Sequence, residues 1–431
     1  MIEILKELIR DFQTEKPFTG TARNLPYELA PGKVFVCIGV RRCGKSTMMN
    51  QIAVQLHADG APWENFLSLT FSDNRLDNLK HGSLEQILDA YYSMYPRKKK
   101  TEVVHCFFDE IQDISNWELF IARLLRSEKC RIYLTGSSAT MLSKEIATQL
   151  RGRSLAWELF PFSFAEFLAH RGIHPKDGTS KERHLVQHAF EEYREKGGFP
   201  EIFDFSKKLR IMTHQEYYKS ILLRDVVERH DAPHPQAVAD LAARLISNAG
   251  ALYSLNRLQE YLRSVGHGLT KDFVHNCVQW FEDAFFLFSV RMYTPSLARQ
   301  NTNPKKIYCV DHGMLPSLNP SILANRGHIL ENMVFSHLRR NTQEIYYYKT
   351  NAGNEVDFLW IDATGRKRLL QVCHDISAPD TRKRELAGLT QAMRELGLSE
   401  SEIVTDRTAE TVKNSGQAIH IIPIWKWLLD K

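Results

Sequence analysis

Three features of the amino-acid sequence predict an α/β fold built on a parallel sheet. From about residue 31 to 170, apolar stretches alternate with helical stretches, which is typical of parallel sheets. A glycine-rich loop follows the first apolar stretch, and two acidic residues end the third. We therefore expect a five-stranded parallel sheet with strands at residues 34–38, 66–71, 103–108, 131–135 and 155–160.

The composition limits the class of protein. The chain has 431 residues, of which 25% are charged and 43% hydrophobic, and its net charge is +5. A chain of this length fits roughly two to four globular domains, and its charge permits a nucleic-acid partner without requiring one. The seven cysteines are scattered singly, and no apolar run reaches about 18 residues. We expect reduced thiols, no membrane partner and a cytoplasmic location.

Further segments lie on both sides of the predicted sheet. The sequence divides into an N-terminal helix and connector (1–30), the parallel-sheet domain (31–170), a polar helical connector (171–210), a mostly helical region (211–310) and a last α/β segment (325–431).

The glycine-rich loop predicts a phosphate-binding site. Its sequence, GVRRCGKST, has the pattern G-x-x-x-x-G-K-[ST] between a strand and a helix. Glycines let backbone N–H groups surround phosphates, and the helix N-terminus adds a partial positive charge. Lys45 would reach the β- and γ-phosphates, and the Ser46 hydroxyl would bind Mg²⁺. The expected nucleotide-binding residues are Gly39, Arg41, Arg42, Cys43, Gly44, Lys45, Ser46 and Thr47.

The third predicted strand ends in Asp109 and Glu110. Because the carboxyl ends of parallel strands meet at one edge of the sheet, we expect this acidic pair beside the phosphate loop. Asp109 would hold Mg²⁺, directly or through water, and Glu110 would act as general base toward the attacking water. The sequence thus predicts hydrolysis of a nucleoside triphosphate, although no residue distinguishes ATP from GTP.

Two more regions contain candidate catalytic residues. The fourth predicted strand leads to Thr135 and Ser137, either of which could position the attacking water, with ordinary turn chemistry as the alternative. Arg151 and Arg153 precede the fifth strand. A guanidinium there could stabilise the transferring phosphate within the chain or in a neighbouring copy of a homo-oligomer, but surface arginines are common.

Seven segments carry a resemblance to a known family: GVRRCGKST, FFDEIQDISNWELF, YLTGSSATML, RGRSLAWELFPFSFAEFL, GGFPEIF, LLRDVVERH and GNEVDFLW. They resemble the AAA-type P-loop ATPases of bacteria and archaea that have a C-terminal domain of unknown function. The resemblance implies an AAA-like ATPase core over 31–170, a winged-helix-like domain over 211–310 and a restriction-endonuclease-like domain over 325–431. It also implies ATP as the nucleotide.

The helical region contains a candidate helix-turn-helix at residues 254–284, in which Ser254 and Thr270 would cap the two helices. The basic excess over residues 254–306 is only seven Lys and Arg against four acids, and winged helices also contact proteins. DNA and a protein partner therefore both remain open. The candidate nucleic-acid contacts are Lys271, His275, Asn276 and Gln279 on the second helix, with Lys305 and Lys306 on a wing-like segment.

The last segment resembles the restriction-endonuclease fold, whose motif is Asp, then Glu or Gln, then x-Lys. Asp357 matches the metal-binding aspartate, Glu331 a helix glutamate and Gln371 the second ligand position. Cys373 stands at the lysine position, where a largely neutral thiol neither activates water nor balances phosphate charge. At position 371, a glutamine in place of a carboxylate means that a charged metal ligand is missing. We therefore expect a retained fold without nuclease activity.

Three functions are consistent with these observations. The first is an ATPase that acts on a macromolecular partner, for which DNA is one candidate. The second is a nucleotide-dependent switch or scaffold with slow hydrolysis. The third is an ATP-gated nuclease, against which Cys373 argues.

Overall fold

The computed structural model describes residues 1–15, 17–79, 84–137, 150, 152–175, 178–324, 326–414 and 416–429. The chain divides into two compact units, Met1–Leu159 and Phe160–Lys431.

The first unit contains a five-stranded parallel sheet. Its strands are β1 (Val34–Ile38), β2 (Phe66–Thr70), β3 (Val104–Asp109), β4 (Cys130–Gly136) and β5 (Ser154–Glu158). The strand order is β2-β3-β4-β1-β5, and every neighbouring pair is parallel. The predicted fold class is confirmed, and the predicted strand ends differ from the observed ones by at most two residues (160 against 158 in β5).

Helices pack on this sheet because its central strands are apolar on both faces. All five residues of β1 are buried, and so are the first five of β3. Helix α1 buries Leu5 and Ile9 and packs against β2 and α3. The described helices of this unit are α1 (Ile2–Thr14), α2 (Lys45–Ala58), α3 (Glu85–Met94) and α4 (Trp117–Ser127).

The second unit begins with helices and ends in alternating strands and helices. Its helices are α5 (Phe164–His170), α6 (Ser180–Lys196), α7 (Lys207–Ser220), α8 (Pro235–Ser247), α9 (Leu255–Ser264), α10 (Lys271–Asp283), α11 (Leu297–Thr302), α12 (Met314–Leu318), α13 (Arg326–Asn341), α14 (Pro379–Leu396) and α15 (Ile424–Trp427). A π-helix, Ile221–Glu228, continues α7. None of the helices in the described ranges is long and apolar enough to cross a bilayer.

The second unit contains a sheet of both parallel and antiparallel strands. Its strands are β6 (Leu252–Tyr253), β7 (Leu287–Met292), β8 (Lys305–Cys309), β9 (Ile345–Lys349), β10 (Glu355–Ile361), β11 (Lys367–Val372), β12 (Glu400–Thr405), β13 (Glu410–Asn414) and β14 (Gln417–Pro423). They lie in the order β13-β14-β12-β11-β10-β9-β7-β8-β6. Helix α14 covers the β10-β11-β12 part of this sheet, where Leu359, Leu369 and Ile403 belong to a buried apolar cluster.

Three glycines pack around the carboxylate of Asp311 in the second unit. Asp311 accepts hydrogen bonds from the backbone N–H groups of Gly198 (2.6 Å) and Gly313 (2.9 Å). A Cβ on Gly313 would lie 2.5 Å from the Lys196 carbonyl oxygen, and one on Gly198 would lie 2.5 Å from the Phe162 carbonyl oxygen. Gly197 has φ +85°. The segment GGFPEIF therefore owes its two glycines to close backbone packing, because larger residues do not fit there.

Candidate functional site

The phosphate loop follows β1 at the carboxyl end of the sheet and leads into α2. Gly39 has φ +153°, and a Cβ at this position would lie 2.1 Å from the Leu159 carbonyl oxygen. Gly44 has φ +102° and precedes the first residue of α2. Both positions therefore require glycine, and the loop's N–H groups and the α2 N-terminus can face a bound anion.

Lys45 is buried in this loop, with 4% of its surface exposed. Its ammonium donates hydrogen bonds to the carbonyl oxygens of Gly39 (3.1 Å) and Val40 (3.2 Å) and lies 3.5 Å from the Glu110 carboxylate. Burial has the largest single effect and lowers the pKa of Lys45, but Glu110 and the other acidic groups nearby together outweigh it, and the pKa lies above its ordinary value. Lys45 is therefore a cation at neutral pH, as phosphate binding requires.

The Ser46 hydroxyl and the Asp109 carboxylate meet at the end of β3. Ser46 donates a 2.7 Å hydrogen bond to Oδ2 of Asp109, and the Thr135 hydroxyl donates to Oδ1. Burial raises the pKa of Asp109, while these two hydrogen bonds act in the opposite direction. Hydroxyl and carboxylate oxygens are ligands that Mg²⁺ prefers, so this pair fits the predicted magnesium site.

Glu110 adopts a left-handed backbone conformation, with φ +51°. Its backbone N–H donates to the Thr135 hydroxyl (2.9 Å), and its carboxylate accepts a hydrogen bond from the Gln112 amide. Burial raises the pKa of Glu110. The Lys45 ammonium and the Gln112 hydrogen bond act in the opposite direction and help to bring the pKa below its ordinary value. Thr135 thus connects the two acidic residues through a single hydroxyl.

The remaining loop residues differ in exposure. Arg42 is exposed and has φ +64°, whereas Cys43 is fully buried, and burial raises the pKa of its thiol. Arg41 and Thr47 are half-buried, and the Arg41 charge lowers the pKa of Glu110. Ser137 is also fully buried, and its catalytic role stays a prediction.

Two residues near the loop were missed by the sequence analysis. The Arg23 guanidinium donates a 2.6 Å hydrogen bond to the Cys43 carbonyl oxygen, and the Arg23 backbone N–H donates to Gln51. No sequence signal marks Arg23, because it lies in an irregular connector far before the loop. Gln112 could have been suspected, because it follows the acidic pair by two residues and can turn back toward it.

Strand direction separates Arg153 from the phosphate loop of its own chain. Strand β5 is parallel to β1, with Val34 opposite Ser154, so Arg153 lies at the amino end of these strands. The phosphate loop begins at the carboxyl end, five residues or about 17 Å away. Arg153 is therefore too far from the loop to act within its own chain. Donation to a neighbouring copy and an ordinary surface position both remain open. Arg151 lies outside the described residues.

The two helices predicted at residues 254–284 are present as α9 and α10. Their caps are also as predicted, because the side chains of Ser254 and Thr270 accept hydrogen bonds from the N–H groups of Arg257 and Phe273. A DNA-binding winged helix at this place stays a prediction. The candidate contacts Lys271, His275, Asn276 and Gln279 are exposed on α10, and Lys305 is half-buried.

Lys306 is not on an exposed wing, and this expectation was wrong. Only 2% of its surface is exposed, because it faces inward from β8. Its ammonium contacts Glu331 (2.9 Å) and Asp357 (2.8 Å), two of the residues that match the nuclease motif. Lys305 and Lys306 point to opposite faces because side chains alternate along a strand.

The third motif residue, Gln371, makes a different contact. Its side-chain oxygen accepts a 3.1 Å hydrogen bond from the Asp357 backbone N–H. Cys373 is buried and its thiol donates to the Asp375 carbonyl oxygen, while burial raises the pKa of the thiol to about 11. A protonated thiol fits the expectation that Cys373 does not replace a catalytic lysine.

The first unit therefore has the fold of a P-loop ATPase of the AAA type. A family model described as "AAA domain" matches residues 31–168, and models of two domains of unknown function, DUF8612 and DUF4143, match residues 187–323 and 326–427.

The chain is 33% identical to the uncharacterized protein MJ1544 of Methanocaldococcus jannaschii, over 99% of this chain and 95% of that protein. It belongs to the same family, in which an AAA-type P-loop ATPase domain precedes domains of unknown function. An uncharacterized protein of Haemophilus influenzae is 28% identical over 75% of this chain and 78% of its own length.

Two solved structures have lower similarity to this chain. The Walker-type ATPase PABY2304 of Pyrococcus abyssi has a TM-score of 0.42 and 13% identity, covering 68% of this chain and 91% of that one. The ORC1 protein of Aeropyrum pernix, solved in complex with DNA, has a TM-score of 0.30 and 12% identity, covering 75% of this chain and 92% of that one. Similarities of this size support no argument about the function of this chain.

Proposed function

We propose that this chain binds Mg²⁺-ATP at the phosphate loop, hydrolyses it, and uses hydrolysis to act on a macromolecular partner. The observation that carries the proposal is the hydrogen-bond connection Ser46–Asp109–Thr135–Glu110. It brings the loop hydroxyl, the candidate metal ligand and the candidate general base together beside the buried Lys45 ammonium.

Each group has a distinct role in this mechanism. Lys45 donates to the β- and γ-phosphate oxygens. Ser46 and Asp109 would hold Mg²⁺, which would neutralise phosphate charge. Glu110 accepts the proton of the attacking water. Contact with Lys45 keeps the pKa of Glu110 low and makes it a weak base. When Lys45 turns to phosphate oxygens, this effect declines and Glu110 becomes a stronger base.

The same contacts favour a second candidate function, a nucleotide switch with slow hydrolysis. Glu110 is held by both Lys45 and Gln112, so a chain without its partner has a restrained general base. In that case ATP binding itself is the signal, and a partner accelerates hydrolysis by releasing Glu110. Negligible turnover with every partner, together with tight nucleotide binding, would favour the switch.

The first test is the steady-state ATPase rate of the full chain. We expect Lys45→Ala to abolish turnover and Glu110→Gln to reduce it by about 100-fold or more, because a general base contributes this much. Glu110→Gln also controls for contaminating ATPases. A Lys45→Ala protein that hydrolyses ATP at the wild-type rate would exclude the proposed site.

The partner is tested by adding single-stranded, duplex and branched DNA, and RNA, to the same assay. The exposed face of α10 is the candidate contact, so Lys271→Glu should reduce any stimulation by DNA and leave the basal rate unchanged. Lys181→Glu, on the exposed surface of α6, is the matched control. A rate indifferent to every nucleic acid would instead favour a protein partner.

A further inference from the structure

The ammonium of Lys306 lies at the centre of three carboxylates in the second unit. Glu331, Glu355 and Asp357, here called the acidic cluster, each place an oxygen 2.8–2.9 Å from its Nζ atom. Lys306 is on β8, Glu331 on α13, and the other two residues on β10. Glu331 and Asp357 are the residues at which the nuclease motif predicts a divalent metal ion.

We propose that the Lys306 ammonium replaces a divalent metal ion in the acidic cluster, so that this domain is built to work without metal. A lysine ammonium has three N–H groups, and three carboxylates surround this one. A metal ion bound to the same oxygens would lie beside a buried positive charge, where repulsion is strong because water does not screen it.

Protein donors also use the oxygen atoms that a metal would need. Asp357 accepts from Lys306 at Oδ1 and from the Val372 backbone N–H (2.9 Å) at Oδ2. Glu331 Oε1 accepts from both Lys306 and the Tyr308 hydroxyl (2.6 Å).

The contacts of Lys306 also distinguish it from a catalytic lysine. A lysine that activates water or binds a phosphate needs an N–H group directed toward the substrate. Lys306 is instead 2% exposed, donates hydrogen bonds to Glu331 and Asp357, and has the Glu355 carboxylate 2.9 Å from its ammonium. Burial lowers the pKa of Lys306, but the carboxylates outweigh this effect and raise the pKa well above its ordinary value. The residue is therefore a permanent cation.

The test measures Mn²⁺ binding to the nucleotide-free full chain by electron paramagnetic resonance. All proteins contain Asp109→Asn, which removes the carboxylate of the other candidate metal site. We expect no bound Mn²⁺ in this background or after Lys305→Met, the matched control on the same strand. Lys306→Met should bind one Mn²⁺ per chain, its melting temperature should rise with Mn²⁺, and Asp357→Asn should abolish both effects.

Two results would overturn the proposal. The first is Mn²⁺ bound to the chain with Lys306 intact and lost on Asp357→Asn, because metal and lysine would then coexist. The second is a folded Lys306→Met protein that binds no Mn²⁺, because the ammonium would then not occupy a cation position. If Lys306→Met does not fold, the chain with Lys306 intact still decides the matter. Mn²⁺ that binds there and is lost on Asp357→Asn contradicts the proposal, and the absence of such Mn²⁺ supports it.

Discussion

Lys45 and Gln112 both contact the Glu110 carboxylate, and they restrain it in different ways. Lys45 belongs to the phosphate loop and should exchange Glu110 for phosphate oxygens when ATP binds. Gln112 lies in the short turn directly after Glu110, so it can keep its contact during hydrolysis. Among the described residues, the buried Oε1 atom of Gln112 has no hydrogen-bond partner. We therefore expect Gln112 to position Glu110 and to accept from the attacking water.

Gln112→Ala tests this role. Because the substitution leaves the phosphate loop intact and frees the general base, we expect kcat to fall by about 10-fold or more while KM for ATP changes little. Ser115→Ala, an exposed residue shortly after the same turn, is the control. Steady-state kinetics with ATP separate the two parameters, and a raised KM with unchanged kcat would show that Gln112 acts in nucleotide binding instead.

At the scale of elements, the sequence predicted the parallel sheet well because its central strands are buried on both faces. Such strands appear as continuous apolar runs, as in β1 and β3, and local composition is sufficient to find them. The position of Arg153 follows from the direction of β5 and not from its neighbour in the sheet. A residue just before a parallel strand lies at the amino end, opposite the phosphate loop, so the rule that places the acidic pair also places Arg153 away from the loop.

The packing of Gly313 against the end of α6 gives a prediction about stability. An alanine Cβ there would lie 2.5 Å from the Lys196 carbonyl oxygen, so backbone atoms must move. We expect Gly313→Ala to reduce the free energy of unfolding of the second unit by about 1–3 kcal/mol, as overpacking usually does. Gly268→Ala, where nothing lies within 4 Å, is the control. Equal urea midpoints for the two variants would contradict this account.

At the scale of the whole molecule, two kinds of site differ in how far the sequence predicts them. The phosphate loop is one continuous segment, and the acidic pair follows from the rule that parallel strands end at the same edge. The acidic cluster brings together Lys306 and residues that lie 25 positions (Glu331) and 51 positions (Asp357) further along the chain. Since Lys306 precedes the nuclease-like motif and lies in a polar stretch, its sequence context suggested an exposed wing instead of a buried ion pair.

The location of Arg153 makes a prediction about assembly. It lies about 17 Å from its own phosphate loop and is exposed, so it can contribute to catalysis only in a neighbouring copy of the chain. Arg153→Ala should then lower turnover by about 1000-fold or more, which is the usual contribution of such an arginine. Arg97→Ala, another exposed arginine of the same unit, should have no effect.

Mixing two inactive variants tests this assembly directly. Lys45→Ala has a defective phosphate loop but an intact Arg153, and Arg153→Ala has the reverse. If the arginine acts between copies, the mixture contains sites with an intact loop from one chain and an intact arginine from the other, and turnover should recover to a fraction of the wild-type rate. If Arg153→Ala alone retains full turnover, the arginine has no catalytic role. If it is inactive and mixing restores nothing, the substitution damages its own chain.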